Sequence, residues 1–422
     1  MLIRNSFFQC LLLGLSPALA IACAAQTRPG QSSPRTVYAE KFPGEDLGAK
    51  INAADRSLGT GAGEIVARGG GRLSTQVIIA GHHTLRLMRG TYAPAGDHIP
   101  ILMKPGSSLV GESWDAIILE STAKGMFTVI SAYNNAQRNG SADSDLQISN
   151  VQIKGANPGF NSAPQAISLG NCSRCTVDRV WINGTRSIGI QLGGASFEGY
   201  FAQDSKVTNC QFTRVASQNL ALVNGRNIVL ENNRFVTAGQ AGGPGSTNID
   251  LEPNDANDHL ENVIIRNNQI DVRNSEIPTT GNGIVVQSGS GTPHIGPILI
   301  EGNTIIGGEI AGTVTNVLSN GIYAFGPTMK DVTIRNNRVT RTGQSGLHIE
   351  GTHFTVTGNQ FIDVGGGGTP GFVIAVTDST ITGNTFTYSG KGPADARVEM
   401  MGTNRNNVIR NNPGFGFPAG IR

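Results

Sequence analysis

The chain has 422 residues, of which 57 are glycine, while only 15% are charged and 6% are aromatic. This composition predicts a β-rich, turn-rich architecture, and the length is ample for a large core. The formal net charge of +2 excludes the strongly basic surface typical of nucleic-acid binding, so we expect no nucleic-acid partner.

The first 24 residues have the pattern of an export signal peptide. MLIRN supplies one arginine, FFQCLLLGL is a short apolar run, and SPALAIACAAQ offers small-residue cleavage sites after Ala20 or Ala24. The apolar run is too short to cross a bilayer as a helix, so no membrane span is expected. LAIAC also resembles a lipoprotein box with Cys23 as the lipidated residue. We therefore expect a secreted or periplasmic protein, with a lipid anchor at the cell envelope as the alternative.

A short linker and an amphipathic helix are predicted between the signal peptide and the main body of the chain. Residues 25–43 are interpreted as the linker, and residues 44–60 as the helix. Four apolar side chains share one face of that helix: Leu47, Ile51, Ala54 and Leu58. Such a helix can cover the open end of a repeat domain. We predict one repeat domain over residues 61–412 and a C-terminal tail at 413–422.

Three cysteines follow the signal peptide. Cys172 and Cys175 form the motif CSRC, and Cys210 stands further along the chain. A zinc site would need a second CxxC or a suitably spaced histidine pair, which the sequence lacks. In an exported chain we expect these cysteines to form a disulfide or to remain as buried thiols.

From about residue 146 the chain repeats one pattern: alternating apolar residues, two polar residues, an asparagine, any residue and an apolar residue. Examples are NIVLENNRF, NVIIRNNQI, ILIEGNTI, DVTIRNNRV, FTVTGNQF and STITGNTF. The repeated asparagines stand 22 to 35 residues apart, at Asn233, Asn268, Asn303, Asn337, Asn359, Asn384 and Asn412. These spacings fit one coil of a solenoid, and the pattern lacks the period of helical repeats.

Each coil also contains a second short strand ahead of that pattern, as in NIDLEPN, GIYAFG and GLHIEG. Stacked coils of this kind predict an all-β fold, a single-stranded right-handed parallel β-helix with an N-terminal capping helix. The repeated asparagines should then stack as an internal ladder whose amides satisfy buried backbone groups. Val151, Val180 and Cys210 fill the same slot in the earliest coils.

The capping helix, the RGTY strand end, the SSLVGE…AIIL coil and the asparagine repeats resemble the pectate-lyase superfamily of secreted β-helix proteins. The resemblance covers nearly all of the chain after the signal peptide, and it implies a polysaccharide as the partner. It leaves the reaction open, because that superfamily includes polysaccharide lyases, glycoside hydrolases, uronate epimerases and binding proteins. We expect the protein to be a monomer.

Alignment of the short strands predicts columns of side chains on the outer face of the stack. The first column is Ser168, Gln191, Ala221, Asp250, Val285, Tyr323, His348, Ile374 and Glu399. The second column is Gly170, Gly193, Val223, Glu252, Gln287, Phe325, Glu350, Val376 and Met401. A preceding column contains Asn219 and Asn248. Because coils are ~4.8 Å apart, the polar residues should form two clusters.

The first cluster predicts a metal site made by Asn219, Asp250 and Glu252, with Asn248 and Gln287 beside it as substrate-binding residues. Amide and carboxylate oxygens are the ligands that Ca²⁺ takes in proteins. The arrangement resembles the calcium-dependent β-helix lyases of the alginate and chondroitin type. That resemblance implies a Ca²⁺ ion that neutralises the substrate carboxylate, so that a base can remove the neighbouring proton.

Beyond the acidic pair the sequence departs from those lyases. They place a lysine shortly after the pair and an Arg-His-Gly in the next coil, whereas PNDANDHL follows Glu252 here and the next lysine is Lys330. We therefore expect the catalytic groups in the second cluster, which contains Tyr323, His348 and Glu350. Phe325 beside them is expected to bind the substrate by stacking on a sugar.

The same carboxylates also suit a glycoside hydrolase, because Asp250 and Glu252 stand two residues apart on one strand face. The paired-Asp, Gly-His-Gly and Arg-Ile-Lys signatures of polygalacturonases are absent. A lyase or epimerase acting on a uronate-containing polysaccharide is narrowly favoured over a hydrolase. A non-catalytic carbohydrate-binding or surface-structural protein is the further alternative.

Overall fold

The computed structural model of the chain describes residues 34–120, 128–155, 165–194, 200–236, 246–275, 281–288, 293–308 and 318–420. The predicted signal peptide, with Cys23 and both cleavage sites, lies outside the described residues. Within the described parts, no helix is both long enough and apolar enough to cross a membrane.

The alternating apolar residues of each repeat form the interior of a parallel β-helix. A complete coil contributes strands to three parallel sheets, and successive coils pair along each sheet. In each complete coil the chain passes through sheet 1, then sheet 2, then sheet 3. The predicted fold, a right-handed parallel β-helix, is confirmed.

In the described parts of the chain, sheet 1 contains twelve strands. They are Val77–Ile79, Ile101–Met103, Ile130–Ala132, Ile167–Leu169, Ile190–Leu192, Leu220–Leu222, Thr247–Leu251, Asn282–Gln287, Ile322–Phe325, Leu347–Thr352, Phe372–Thr377 and Val398–Met400. Sheet 3 also contains twelve strands. They are Gly71–Leu73, Gly90–Pro94, Ala116–Leu119, Gln152–Lys154, Trp181–Asn183, Gln211–Thr213, Arg234–Phe235, Gln269–Asp271, Thr304–Ile306, Arg338–Thr340, Gln360–Ile362 and Thr385–Thr387.

Sheet 2 contains eighteen strands among the described residues, because several coils place two short strands in it. They are Arg35–Tyr38, Gly63–Ala67, His83–Leu87, Ser108–Gly111, Asp143–Ser144, Gln147–Ser149, Cys172–Ser173, Thr176–Asp178, Ala202–Gln203, Lys206–Thr208, Gly225–Glu231, His259–Arg266, His294–Ile295, Ile298–Glu301, Val332–Arg335, Thr355–Thr357, Thr380–Thr382 and Val408–Arg410. The strand Arg35–Tyr38 pairs with Gly63–Ala67, so part of the predicted linker belongs to the sheet.

An α-helix at Leu47–Leu58 covers the N-terminal end of the stack. Asp46 caps it, because a side-chain oxygen of Asp46 accepts the Ala49 N–H at 2.7 Å. Ile51 and Ala54 are buried against the first coils. The remaining helical segments of the described chain are a 3₁₀ turn at Ala39–Lys41 and a short α-helix at Tyr133–Gln137. In the predicted tail, Phe415 stacks on Phe372 with ring centroids 3.9 Å apart.

The repeated asparagines form the predicted internal ladder. Asn233, Asn268, Asn303, Asn337, Asn359 and Asn384 are all buried. Each donates its side-chain amide to the side-chain oxygen of the next asparagine and to a backbone carbonyl of the preceding coil. The ladder therefore satisfies buried backbone groups at the turn between sheets 2 and 3.

The three cysteines that follow the signal peptide are buried free thiols. Cys172 lies in a strand of sheet 2, and Cys175 lies between that strand and the next sheet 2 strand, Thr176–Asp178. Cys210 occupies the ladder slot one coil before Asn233. The buried-thiol alternative of the sequence analysis is the one observed.

Candidate functional site

The outer face of sheet 1 carries most of the polar residues that the sequence singled out. Ile249 and Leu251 point into the core, so Asp250 between them points outward. Ala221, Asp250 and Val285 stand side by side on successive coils. Val285 pairs with Tyr323, and Tyr323 pairs with His348. Asp250 and Tyr323 are thus two coils apart in one column.

The predicted columns slip by one residue in the strand Phe372–Thr377. Val373, not Ile374, stands beside His348, and Ala375, not Val376, stands beside Glu350. Ile374 lies in the core. A one-residue error moves every side chain of a strand to the other face, so this correction changes the outer surface of that coil.

Gln218 joins the two carboxyl groups at the centre of this face. Its side-chain nitrogen donates a hydrogen bond to Asp250 Oδ2 and another to Glu252 Oε2, each at 2.9 Å. The two acceptor oxygens are therefore no more than 5.8 Å apart, twice that length. Gln218 lies in the connection just ahead of Leu220–Leu222, where no alternating pattern marked it as a site residue.

Burial shifts the protonation of both acids. Asp250 is 3% exposed, and its burial, with the nearby Glu252 carboxylate, raises the pKa of Asp250 to about 7. Burial also raises the pKa of Glu252, while hydrogen bonds from Gln218 and Gln287 oppose that rise. Asp250 Oδ1 is buried without a hydrogen-bond partner. A neutral Asp250 beside Glu252 is the state that this environment favours near neutral pH.

Asn219 and Asn248 lie inside the stack, which corrects their predicted position on the outer face. Both are 0% exposed. The side-chain amide of Asn219 donates to the side-chain oxygen of Asn248 at 2.8 Å, and Asn248 donates to the carbonyl of Asn282 at 2.9 Å. These residues form a second polar row in the interior.

The glycines of neighbouring coils give the reason for that inward direction. Gly189 stands beside Asn219 in the stack, and Gly283 stands beside Asn248. A Cβ at Gly189 would touch the core ring of Phe212. Asn219 lies just ahead of the strand Leu220–Leu222, and Asn248 is the second residue of Thr247–Leu251. Asn248 and the next residue, Ile249, are both 0% exposed, so strand alternation does not hold at the start of these strands.

The predicted calcium ligands do not form a ligand set in this arrangement. Asn219 lies in the interior, whereas Asp250 points outward. The N–H groups of Gln218 stand between the two carboxyls, where a cation would need oxygen ligands. Across the described parts of the chain, no group of three His, Cys, Asp or Glu side chains is placed to hold a metal ion.

The second predicted cluster comes together around Tyr323. Its ring stacks on Phe325 with centroids 4.3 Å apart and meets the edge of His348 at 4.4 Å. Burial lowers the pKa of His348 to about 4, so this imidazole is neutral at pH 7. Burial, and next the Glu350 carboxylate, raise the pKa of Tyr323. The cluster is an aromatic surface with one acid beside it.

The centre of the outer face is acidic. In the coils from Leu220–Leu222 to Val398–Met400, the two outward columns together contain four carboxylates, Asp250, Glu252, Glu350 and Glu399. None of the described residues in these two columns is a lysine or arginine over that span. Within the described residues of these two columns, no side-chain cation is therefore available to pair with an anionic sugar.

Comparison with known proteins agrees with the fold. A family model described as "Right handed beta helix region" matches residues 130–320 and 311–417. No curated protein sequence matches the chain.

Three solved structures illustrate the similarity. The A-module of a mannuronan C-5 epimerase from Azotobacter vinelandii has a TM-score of 0.57 at 12% identity, over 90% of this chain and 96% of that one. A family 28 exopolygalacturonase from Yersinia enterocolitica has a TM-score of 0.59 at 12% identity, over 89% and 78%. A mutant tailspike protein of E. coli bacteriophage HK620, in complex with a pentasaccharide, has a TM-score of 0.50 at 17% identity, over 88% and 62%. Identities this low show a shared fold alone.

Proposed function

The chain belongs to the right-handed β-helix family, and we propose that it acts on a polysaccharide as a glycoside hydrolase through Asp250 and Glu252. The single observation that carries this proposal is the carboxyl pair held by Gln218, with the pKa of Asp250 raised to about 7. The polysaccharide is inferred by analogy, because the epimerase, the exopolygalacturonase and the tailspike carry that chemistry in their names.

The separation of the two carboxyls suits a retaining mechanism. Their nearest oxygens are at most 5.8 Å apart, and retaining glycosidases hold their two carboxyls roughly 5–5.5 Å apart. Asp250 is the group that keeps a proton near neutral pH, so it acts as the general acid on the glycosidic oxygen. Glu252 then acts as the nucleophile at the anomeric carbon, and Asp250 activates the water that releases the sugar.

In the absence of substrate, Gln218 keeps the carboxyl groups of Asp250 and Glu252 in position. Its amide nitrogen lies between the two carboxyls, which is the space that a glycosidic linkage would occupy. We expect this side chain to swing aside when the substrate enters. Glu252 is half-buried and therefore more accessible than Asp250, so it meets the sugar first.

A uronate lyase or epimerase is the second candidate, because a neutral His348 in contact with Tyr323 has a ring nitrogen that can accept a proton. A pKa of about 4 makes this imidazole a weak base at pH 7, which counts against the candidate. The acidic character of the central face weighs against it. A uronate carboxylate must be neutralised before its neighbouring C–H can lose a proton, and the residues predicted to hold a cation do not converge.

The test is a product assay on polyuronates, neutral glycans and glycosaminoglycans. A hydrolase creates new reducing ends without the ultraviolet-absorbing unsaturated end that a lyase creates, and an epimerase creates neither. Asp250→Asn and Glu252→Gln should each abolish cleavage, whereas Glu399→Gln, five coils further along the same column, should not. Unsaturated products would refute the hydrolase.

Export and a monomeric state also belong to this proposal. The pattern of residues 1–24 supports secretion or periplasmic release, since a polymer-degrading enzyme must reach its substrate outside the cytoplasm. Mass measurement of the exported protein tests this, because retention of Met1 would contradict it and a diacylglyceryl group on Cys23 would support the lipid-anchored alternative.

A further inference from the structure

A polar pocket of about 370 Å³ lies on the outer face of sheet 1, on the N-terminal side of the acid pair. Gln191 at its edge is two coils from Asp250, through Ala221. Ser168 and Ser131 continue the same column on the two preceding coils. At ~4.8 Å per coil, the pocket extends from ~10 to ~19 Å from the carboxyl pair.

The walls of the pocket are built from hydrogen-bonded side chains. Asn135, on the short helix Tyr133–Gln137, donates to the hydroxyls of Ser131 at 3.2 Å and Ser168 at 3.0 Å. The Tyr200 hydroxyl donates to the Asn135 carbonyl at 3.4 Å. This network fixes the direction of several hydroxyl and amide groups that face the pocket, as recognition of a polyhydroxylated ligand requires.

A glycine keeps the pocket open. Gly170 lies in its lining, and a Cβ at this position would collide with the side-chain oxygen of Asn135 and approach the ring of Tyr200. The backbone of Gly170 does not have a positive φ. Space in the pocket, rather than backbone conformation, is therefore what glycine provides here.

Arg138 brings a positive charge to the pocket. It follows the helix Tyr133–Gln137, and its exposed side chain lines the cavity. Its guanidinium makes no hydrogen bond or ion pair with the part of the chain that the structure describes. An exposed arginine fork that is free to bind can pair with a carboxylate through two parallel hydrogen bonds.

We propose that this pocket is a sugar subsite that holds an acidic residue of the polysaccharide, with its carboxylate on Arg138 and its hydroxyls on Asn135, Ser168 and Gln191. The proposal rests on the proposed function for the position of the bond that is cleaved. The face is acidic around Asp250 and basic at Arg138, so it selects a mixed polymer. Such a polymer has a neutral sugar at the carboxyl pair and a uronic acid two to four coils away.

Equilibrium binding tests the subsite directly. The inactive variant Glu252→Gln is titrated with hyaluronan, heparosan and unsulfated chondroitin, in each of which a uronic acid alternates with an uncharged amino sugar, and with the same three polymers after their carboxyls are reduced to alcohols. We expect at least one native polymer to bind, and carboxyl reduction to weaken that binding about tenfold. Adding Arg138→Ala should remove the difference between the native and reduced forms.

Two further variants show whether binding depends on a specific contact between Arg138 and the sugar carboxylate, rather than on the overall charge of the protein or on misfolding. Arg72→Ala removes an exposed arginine from sheet 3, on another face of the stack, and should leave the discrimination intact. Gly170→Leu should fill the pocket and abolish binding while the unfolding midpoint stays near that of the parent. The subsite proposal would be overturned if the Arg138→Ala protein still bound a native polymer more tightly than its reduced form to the same extent. Binding to none of the native polymers would also overturn it.

The two proposals fail in different ways. If the protein cleaves neutral glycans but binds no acidic polymer, the subsite proposal is wrong and the hydrolase proposal stands. Binding that depends on Arg138, without cleavage of any glycan by the parent, would remove the hydrolase and leave the subsite.

Discussion

Asn268 donates both its backbone N–H and its side-chain amide to the side-chain oxygen of Asn303, at 2.9 and 3.0 Å, one coil further along the stack. Asn303 in turn donates to the carbonyl of Ile265 at 3.0 Å and to Asn337 at 2.9 Å. The buried side chain of Asn303 thus forms four hydrogen bonds, and two of them satisfy backbone groups that water cannot reach.

We predict that Asn303→Leu lowers the free energy of unfolding by about 1–3 kcal/mol, because it strands the N–H of Asn268 and the carbonyl of Ile265. Activity should persist below the unfolding transition, since Asn303 lies far from the outer face of sheet 1. Denaturant unfolding followed by circular dichroism measures the effect. An unchanged midpoint would mean that the ladder does not contribute to stability.

The matched control adds an asparagine to the ladder instead of removing one. Cys210 fills the ladder slot before Asn233, and its Sγ lies 3.8 Å from the carbonyl of Val177, which corresponds to the carbonyl that Asn233 binds in the next coil. Cys210→Asn should extend the ladder by one member and raise stability by up to about 1 kcal/mol. A loss of stability would show that this coil is too narrow for the amide.

The contrast between the two polar rows shows what a sequence can predict. The internal ladder of asparagines is predictable because one residue type recurs at one slot in seven consecutive coils. Asn219 and Asn248 occur at their slot in only two coils, and strand alternation assigned them to the wrong face. The available signal was the glycine at the same slot in other coils, Gly189 and Gly283 among them, which indicates an interior corner too narrow for most side chains.

Two other features of the site were beyond pattern reasoning. Gln218 lies in a connection, where no periodicity relates a residue to a face, so only the three-dimensional structure brings it to Asp250. In FVIAV five apolar residues follow one another, so hydrophobic alternation cannot set the register. The structure sets it through the pairing of Val373 with His348.

The pH dependence of stability should report the buried acid. The pKa of Asp250 rises from 3.8 to about 7 on folding, so the folded state favours the neutral form. The stability linked to this proton is fully present below pH ~3.8 and is lost as the pH rises through about 7. We expect the free energy of unfolding of Asp250→Asn to decrease less with rising pH than that of the parent, and this variant to be more stable than the parent at pH 8. Asp97→Asn, at an exposed position, is the control and should leave the fall unchanged.

The pH dependence of activity should follow the same proton. If Asp250 is the general acid, the rate falls as the pH rises through about 7, because the proton is then lost. Gln218→Ala removes a hydrogen bond that lowers the pKa of both Asp250 and Glu252. The alkaline limb of the pH–rate profile should therefore move to higher pH in this variant. An alkaline limb that does not move would contradict the assignment of Asp250.

Calcium should have little effect on this protein. A bound ion would stabilise the fold by ~2.7 kcal/mol at a hundredfold excess over its dissociation constant. Because Asn219 lies in the interior and Gln218 donates to both carboxyls, we expect the thermal unfolding midpoint to be the same in Ca²⁺ and in chelator. A rise with Ca²⁺ that Asp250→Asn and Glu252→Gln abolish would instead support the lyase.

Tyr323 and His348 distinguish the two candidate reactions most sharply. Tyr323 is two coils from Asp250 and His348 is three, so they lie ~10 and ~14 Å from the proposed acid. In the hydrolase they bind a sugar beyond the cleaved bond, so His348→Ala should raise KM about tenfold with little change in kcat. Tyr323→Phe keeps the ring that stacks on Phe325 and should behave like the parent.

In a lyase that uses this pair as its base, Tyr323→Phe or His348→Ala should lower kcat by roughly 10²- to 10⁴-fold. Steady-state kinetics of the two variants on one cleaved polymer decides between these outcomes, since a large loss of kcat in either would remove the hydrolase assignment.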